Sequence, residues 1–215
     1  MRKRRWNPLL VGLAIVQLTL FVPLAWWVHK HPILSTDVEI SHVLQKKQSA
    51  FLDNLSRMLS AVGSATTTSV LALLVSLALW REHRRLEAVI TTCVSITSVL
   101  VRRSLQQLVY RPRPCEPLVR VDTKKKTPSF PSGHTTASTI VWGWFIALIM
   151  LLLPGNRLRK GVLASFPALV ILLVGPSRIY LGEHWASDVL GGYLLGSTWL
   201  GVALSLYFKL RKDKR

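Results

Sequence analysis

The chain has 215 residues, half of them hydrophobic, with a mean hydropathy of +0.34 and a formal net charge of +18. Long apolar runs at that composition exclude an ordinary soluble domain and point to an integral membrane protein. The lysines and arginines gather at the edges of those runs, and no RNA-binding or zinc-finger pattern occurs, so the charge speaks for membrane topology and against nucleic acid as a partner.

A spanning helix needs about 20 mostly apolar residues. Six candidates follow in chain order, at about residues 8–28, 62–80, 88–109, 135–153, 162–180 and 188–208. The first follows Met1-Arg2-Lys3-Arg4-Arg5 and closes on Ala25-Trp26-Trp27-Val28-His29-Lys30. No small-x-small cleavage pattern stands there, which predicts an uncleaved anchor, and the paired tryptophans suit a membrane interface. Between the first two spans, residues 38–60 place Ile40, Val43, Leu44, Phe51, Leu55, Met58 and Leu59 at helical spacing among Lys46, Lys47, Asp53 and Arg57. This predicts an amphipathic helix between spans one and two, read equally as lying on the membrane surface or as an extramembrane cap packed on the bundle.

The third span is apolar only from Ala88 to Val101, where Arg102 and Arg103 follow. A connection rich in proline, lysine and arginine then runs from Arg111 to Gly133. Loops of that length inside compact bundles are functional or disordered. Within it, Lys124, Lys125 and Lys126 read as a solvated run or as an attraction for anionic headgroups. The fifth span holds Pro167 and Pro176, which neighbouring helices can accommodate. Cys93 falls within the third span, where it reads as small apolar filler, and Cys115 in a loop; they suggest no disulfide framework. The expected fold is all-α, a six-span transmembrane helix bundle, in one domain over residues 1–215 with a signature region at about 100–190.

Six spans put Arg2–Arg5, the Arg81/Arg84/Arg85 turn, the Arg157/Arg159/Lys160 turn and the C-terminal Lys209, Arg211, Lys212, Lys214 and Arg215 on one side. These are fifteen of the 28 basic residues. Short, strongly basic turns mark the cytoplasmic side. Arg111, Arg113 and Arg178 fall towards the other.

That other side carries chemistry. His184 and Asp188 are four residues apart, so both lie on one face if a helix starts near Glu183. A carboxylate on one ring nitrogen fixes a histidine's tautomer and frees the other to attack, though such a pair also occurs as a plain helix-surface contact. Arg178 offers a planar fork for phosphate oxygens, or snorkels to the interface. In Pro131-Ser132-Gly133-His134, Gly133 lets backbone N–H groups approach an anion at a helix start, and His134 can protonate a leaving alkoxide. Ser132 reads as a phosphate contact, a helix cap, or both. Arg111-Pro112-Arg113-Pro114 presents two arginines on a stiff backbone, as an anion clamp would.

Together the three clusters resemble the type 2 phosphatidic acid phosphatase superfamily, whose signature is Lys-x6-Arg-Pro, then Pro-Ser-Gly-His, then Ser-Arg-x5-His-x3-Asp. The resemblance covers roughly residues 50–205, and the second and third blocks match at every fixed position. The first departs: pairing its Arg-Pro with Arg113-Pro114 puts the family lysine at Gln106, pairing it with Arg111-Pro112 puts it at Ser104, and neither is cationic; the doubled Arg-Pro-Arg-Pro favours the second pair and hence Gln106. Arg102 and Arg103 lie four and three residues earlier, about one turn away, and either is a candidate to reach the same pocket.

The resemblance implies a membrane lipid phosphatase. His184 attacks phosphorus to form a phosphohistidine, Asp188 orients it, and His134 protonates the leaving oxygen and then activates water. Arg113, Arg178, Ser132, Gly133 and Gln106 hold the phosphoryl oxygens. It implies no cofactor and no metal, and His29, His31, His42 and His83 are scattered. The implied partner is a lipid phosphate in the bilayer, such as phosphatidic acid, phosphatidylglycerol phosphate or undecaprenyl diphosphate, with the site on the extracytoplasmic face of the plasma membrane. Hydrolysis competes with phosphoryl transfer to a second lipid, and, because of Gln106, with binding lacking turnover.

Overall fold

A computed structural model describes residues 6–211 of the chain. The basic residues Arg2–Arg5, Lys212, Lys214 and Arg215 used in the charge count lie outside them. Among the described residues the fold is helical throughout, with no strand: α1 Pro8–Lys30, α2 Ser35–Gln45, α3 Ala50–Val62, α4 Ala65–Arg81, α5 Arg85–Val109, α6 Gly133–Leu152, α7 Arg157–Tyr180 and α8 Ala186–Leu210. Five of these are long and apolar enough to cross a membrane, and α3 and α4, bent by 47° where they meet, reach that length and composition only when taken together. The molecule is an integral membrane bundle with apolar side chains turned outward; on α5, Val89, Ile96 and Leu100 are exposed beside Cys93.

Local chemistry sets the helix ends. Asn7 caps α1, its side chain accepting from the Leu9 and Leu10 N–H groups, with Pro8 at the first helical position. Ser49 and Ser64 cap α3 and α4 in the same way. Gly63 lies at the bend between those two, where Val174 and Ser138 leave no room for a side chain, at 2.7 and 2.8 Å from the place of a Cβ.

The amphipathic segment expected over residues 38–60 is two helices, α2 and α3. The inward face of α2 is polar: Asp37, Ser41 and Gln45 are buried, while Ile40, Val43 and Leu44 are exposed. Gln45 binds the chain ends below it, donating to the carbonyls of Arg120 at 2.9 Å and Tyr180 at 3.0 Å. So α2 caps the bundle through hydrogen bonds and turns its apolar face outward.

Small residues let α8 press against α6. A Cβ at Gly192 would stand 2.8 Å from the Thr135 Cβ, and one at Gly196 2.7 Å from the Thr139 Cβ. In a bilayer, where lipid is as apolar as leucine, such close approach supplies the packing that holds helices together. Lower in the bundle the wholly buried Trp144 donates to Thr91 at 2.8 Å and stacks edge-on against Tyr207.

The connection between α5 and α6 is folded onto the bundle's end. Ser129 N donates to the Arg111 carbonyl at 2.8 Å and Asp122 N to the Leu181 carbonyl at 2.9 Å. Phe130 is fully buried against Phe21, over the space left by Gly191. Gly182, at φ +63°, passes so near the Arg120 carbonyl that a Cβ would lie 1.9 Å from its oxygen.

The α6–α8 contact can be tested directly. Gly196→Val is expected to cost about 1–3 kcal/mol by overpacking and to lower the thermal unfolding midpoint in detergent. Gly161→Ala, whose Cβ meets nothing within 4 Å, is expected to leave it unchanged or slightly higher. Equal midpoints for the two variants would contradict the packing described.

Candidate active site

The site is built around Arg111, which follows directly on the left-handed Tyr110 that ends α5. Its side chain is wholly buried, and each of its three nitrogens has an acceptor. Nη1 donates to Asp188 Oδ1 at 2.6 Å and Ser187 Oγ at 2.7 Å, Nη2 to Asp37 Oδ2 at 2.6 Å, and Nε to the Pro32 carbonyl at 2.8 Å. Asp37 in turn accepts from the Ser187 N–H at 2.8 Å and its hydroxyl at 2.6 Å. One guanidinium between two carboxylates thereby ties α2, the end of α5 and the start of α8.

Asp188 also accepts from the Trp185 N–H at 2.9 Å and from the Ser129 hydroxyl. The same Oδ2 lies 3.5 Å from His184 Nδ1. On the opposite edge of the ring, Nε2 is 3.2 Å from Arg113 Nη1. The Arg113 donor at Nε2 needs that nitrogen's lone pair and so puts the ring proton on Nδ1, which faces the carboxylate without meeting hydrogen-bond geometry. His184 is almost fully buried. Burial, aided by Arg113, pushes its pKa down to about 4 against the opposing pull of Asp188.

His184 borders a polar cavity of about 190 Å³. His134, in the first turn of α6, lines the same cavity, with Nε2 3.5 Å from the Ser60 hydroxyl. Three cations surround it: Arg102 from α5, and Arg113 and Lys125 from the α5–α6 connection. Arg113 is held by the carbonyls of Glu183 at 2.6 Å and Thr127 at 2.8 Å. Lys125 is ion-paired with Glu183, which also pairs with Arg178. Burial raises the Glu183 pKa, but those two cations overcome it and hold the group below the usual carboxylate range.

The candidate residues therefore divide. His184, His134, Arg113, Gly133 and Gln106 border the cavity, and Asp188 stands directly behind His184. Arg178 lies outside the cavity wall, fully buried; among the described residues its Nε and Nη1 meet no hydrogen-bond acceptor. Ser132 is fully buried, its hydroxyl accepting from Thr135 at 3.0 Å, and its N–H donates to the Asp188 carbonyl at 3.0 Å. It joins α6 to α8 and is absent from the cavity lining. Gln106 is engaged on both sides, donating to the Pro131 carbonyl at 3.0 Å and accepting from Arg102 at 2.8 Å. Of the two arginines one turn before it, Arg102 borders the cavity and Arg103 is exposed.

Sequence reasoning missed Asp37, Ser129, Lys125 and Glu183, and undervalued Arg111. The doubled Arg-Pro-Arg-Pro was the available signal for Arg111. Lys125 was visible only as one of three consecutive lysines, and nothing near Asp37 distinguishes it from a solvated carboxylate.

A model of the PAP2 superfamily matches residues 87–212, which contain both histidines and Asp188. Phosphatidylglycerophosphatase B of Bacillus subtilis is 27% identical over 177 residues, 82% of this chain and 85% of that protein. Decaprenylphosphoryl-5-phosphoribose phosphatase of Mycobacterium tuberculosis is 36% identical over 134 residues, 60% of this chain and 65% of that one. Among solved structures, a transmembrane PAP2 type phosphatidylglycerolphosphate phosphatase from Bacillus subtilis superposes with a TM-score of 0.85 at 22% identity, over 94% of this chain and 98% of its own.

The assigned tautomer has a consequence in solution. The His184 ring is expected to remain neutral through the ordinary imidazole range near 6.5 and to take up a proton only near about 4. Ring nitrogen chemical shifts followed against pH measure this; a midpoint at the ordinary value would contradict a buried ring faced by Arg113.

Proposed function

The chain belongs to the PAP2 superfamily, and from that premise we propose that it is a membrane lipid phosphatase working through a phosphohistidine on His184. One observation carries the reading. Two histidines, one of them backed by the Asp188 carboxylate, border one small cavity lined by three cations, in a bundle whose flanks are apolar.

In the first step His184 Nε2 attacks phosphorus and the bond from phosphorus to the lipid oxygen breaks. The leaving oxygen takes its proton from His134, and Arg113 turns from Nε2 to the phosphoryl oxygens. Positive charge gained by the His184 ring is balanced by Asp188, which Arg111, Ser129 and the Trp185 N–H hold in place. In the second step a water attacks phosphorus while neutral His134 accepts its proton. The P–N bond breaks, phosphate leaves and both histidines return to their starting states. Fixed donors aimed at developing charge in a site of low dielectric are worth a few kcal/mol each, roughly. Arg113 and the Gly133 turn serve in that way at the cavity wall, and Arg178 through its charge from behind it.

Substrates matching this chemistry carry a phosphomonoester or diphosphate on a lipid: phosphatidic acid, phosphatidylglycerol phosphate or undecaprenyl diphosphate. A headgroup at the bundle's end and hydrocarbon along its apolar flanks give one molecule both environments. Arg81, Arg84 and Arg85, Arg157, Arg159 and Lys160, and Lys209 and Arg211 stand at or beyond the opposite helix ends. The positive-inside rule then turns the cavity towards the extracytoplasmic face of the plasma membrane.

Phosphate release from a panel of lipid phosphates in detergent micelles tests the reading. His184→Ala is expected to lower turnover by about a thousandfold or more, and EDTA to leave the wild type active. Full activity in the variant, or loss with EDTA that a divalent ion restores, would overturn the mechanism. Tight lipid-phosphate binding with no release by the wild type would make the protein a binder.

A further inference from the structure

We propose that Arg102, reaching the cavity from one helical turn below Gln106, carries the phosphate-binding charge that the superfamily pattern assigns to a lysine at that position, and that Gln106 positions it. The inference rests on the phosphatase reading of the same cavity.

Three observations support it. Gln106 brings no charge to a phosphate, and one of its two amide N–H donors is committed to the Pro131 carbonyl at 3.0 Å inside a buried setting. Its amide oxygen accepts from Arg102 Nη1 at 2.8 Å. Helical side chains tilt towards the N-terminus of their helix, which on α5 leads away from the cavity. The hydrogen bond to Gln106 draws the guanidinium the other way, towards the start of α6.

Second, Gly133 leaves room for that guanidinium. A Cβ there would stand 3.0 Å from Arg102 Cδ, 3.1 Å from Nη1 and 3.2 Å from Nε. The fork thus lies against the N-terminal turn of α6, where the helix dipole is also positive. Arg103, three residues before Gln106, is exposed and does not border the cavity.

Third, among the described residues Arg102 has more donors to spare than the other two cavity cations. Arg113 is bonded to backbone carbonyls and to His184, and Lys125 is paired with Glu183. Among the described residues Arg102 makes the single hydrogen bond to Gln106, leaving Nε and Nη2 for an anion. An amide in place of the family lysine therefore changes which residue supplies the charge and preserves a cation at the cavity.

The test compares Arg102→Ala, Arg103→Ala and the double variant Arg102→Ala/Gln106→Lys with wild type. It reads kcat/KM on a lipid phosphate, inorganic phosphate binding by calorimetry, and unfolding midpoint. Arg102→Ala is expected to lose about a hundredfold in kcat/KM and to weaken phosphate binding with its midpoint unchanged, whereas Arg103→Ala stays within about twofold. The double variant, which restores the pattern lysine, is expected to recover at least about tenfold of the loss; a structural defect at position 102 would not be repaired that way. Wild-type-like kcat/KM in Arg102→Ala, or a folded double variant no better than the single one, would overturn the proposal. If the double variant fails to fold, Arg102→Ala against Arg103→Ala decides. Should wild type release no phosphate, the phosphatase reading fails, and phosphate binding alone decides whether Arg102 holds the anion.

Discussion

A guanidinium held between two carboxylates organises this end of the bundle. Arg111, Asp37 and Asp188 are all buried, and their charges would be costly to remove from water if any were unmatched. None is: every nitrogen of Arg111 has an acceptor, and each carboxylate has at least one further donor. The arrangement has one satisfactory geometry, and that geometry fixes α2 over the bundle, the path of the chain after α5, and the first turn of α8. Asp188 is shared between this triad and His184. The position of the carboxylate that faces the His184 ring is therefore set by a structural ion pair.

From that anchor the charges alternate outward. Asp188 faces His184, whose other edge meets Arg113; beyond lies the cavity with Arg102 and Lys125, and Glu183 binds Lys125 to the buried Arg178. Every carboxylate in this set is turned to a cation or to backbone donors, while cations face the open space. A phosphate entering there finds positive potential without displacing a carboxylate. The low dielectric of a membrane-embedded site makes each such charge count for more than it does in water.

The spans were legible because their signal is composition over about 20 residues, which survives any error at the ends. The two histidines, Asp188 and Arg113 were legible because each sits in a short motif whose spacing is fixed by one turn of helix or one loop. Residues acting across the fold were not. Asp37 meets Arg111 across 74 positions, and no local pattern connects them. The apolar spacing in residues 38–60 correctly indicated helix but not which face packs inward: α2 holds the bundle with Asp37, Ser41 and Gln45 because loop carbonyls and N–H groups, not apolar side chains, await it there. Ser132 misled for a related reason. Its place beside Gly133 and His134 suggests an anion contact, yet its buried hydroxyl accepts from Thr135 in the first turn of α6 and is absent from the cavity lining.

Gln106 shows what a motif encodes. Read as letters, the first block of the pattern is broken at its lysine. Read as space, a helix offers two residues for one location, because positions four apart lie on the same face and a long side chain spans the rise between them. The pair Arg102 and Gln106 uses that equivalence: the amide sits where the ammonium would begin, and the guanidinium is drawn up beside it onto Gly133. The exchange has a chemical consequence. A planar fork anchored through one nitrogen presents its remaining donors in a fixed direction, whereas an ammonium on a flexible stem adapts to its anion. On the proposed reading the cavity keeps the charge of the pattern and presents it in a more fixed direction.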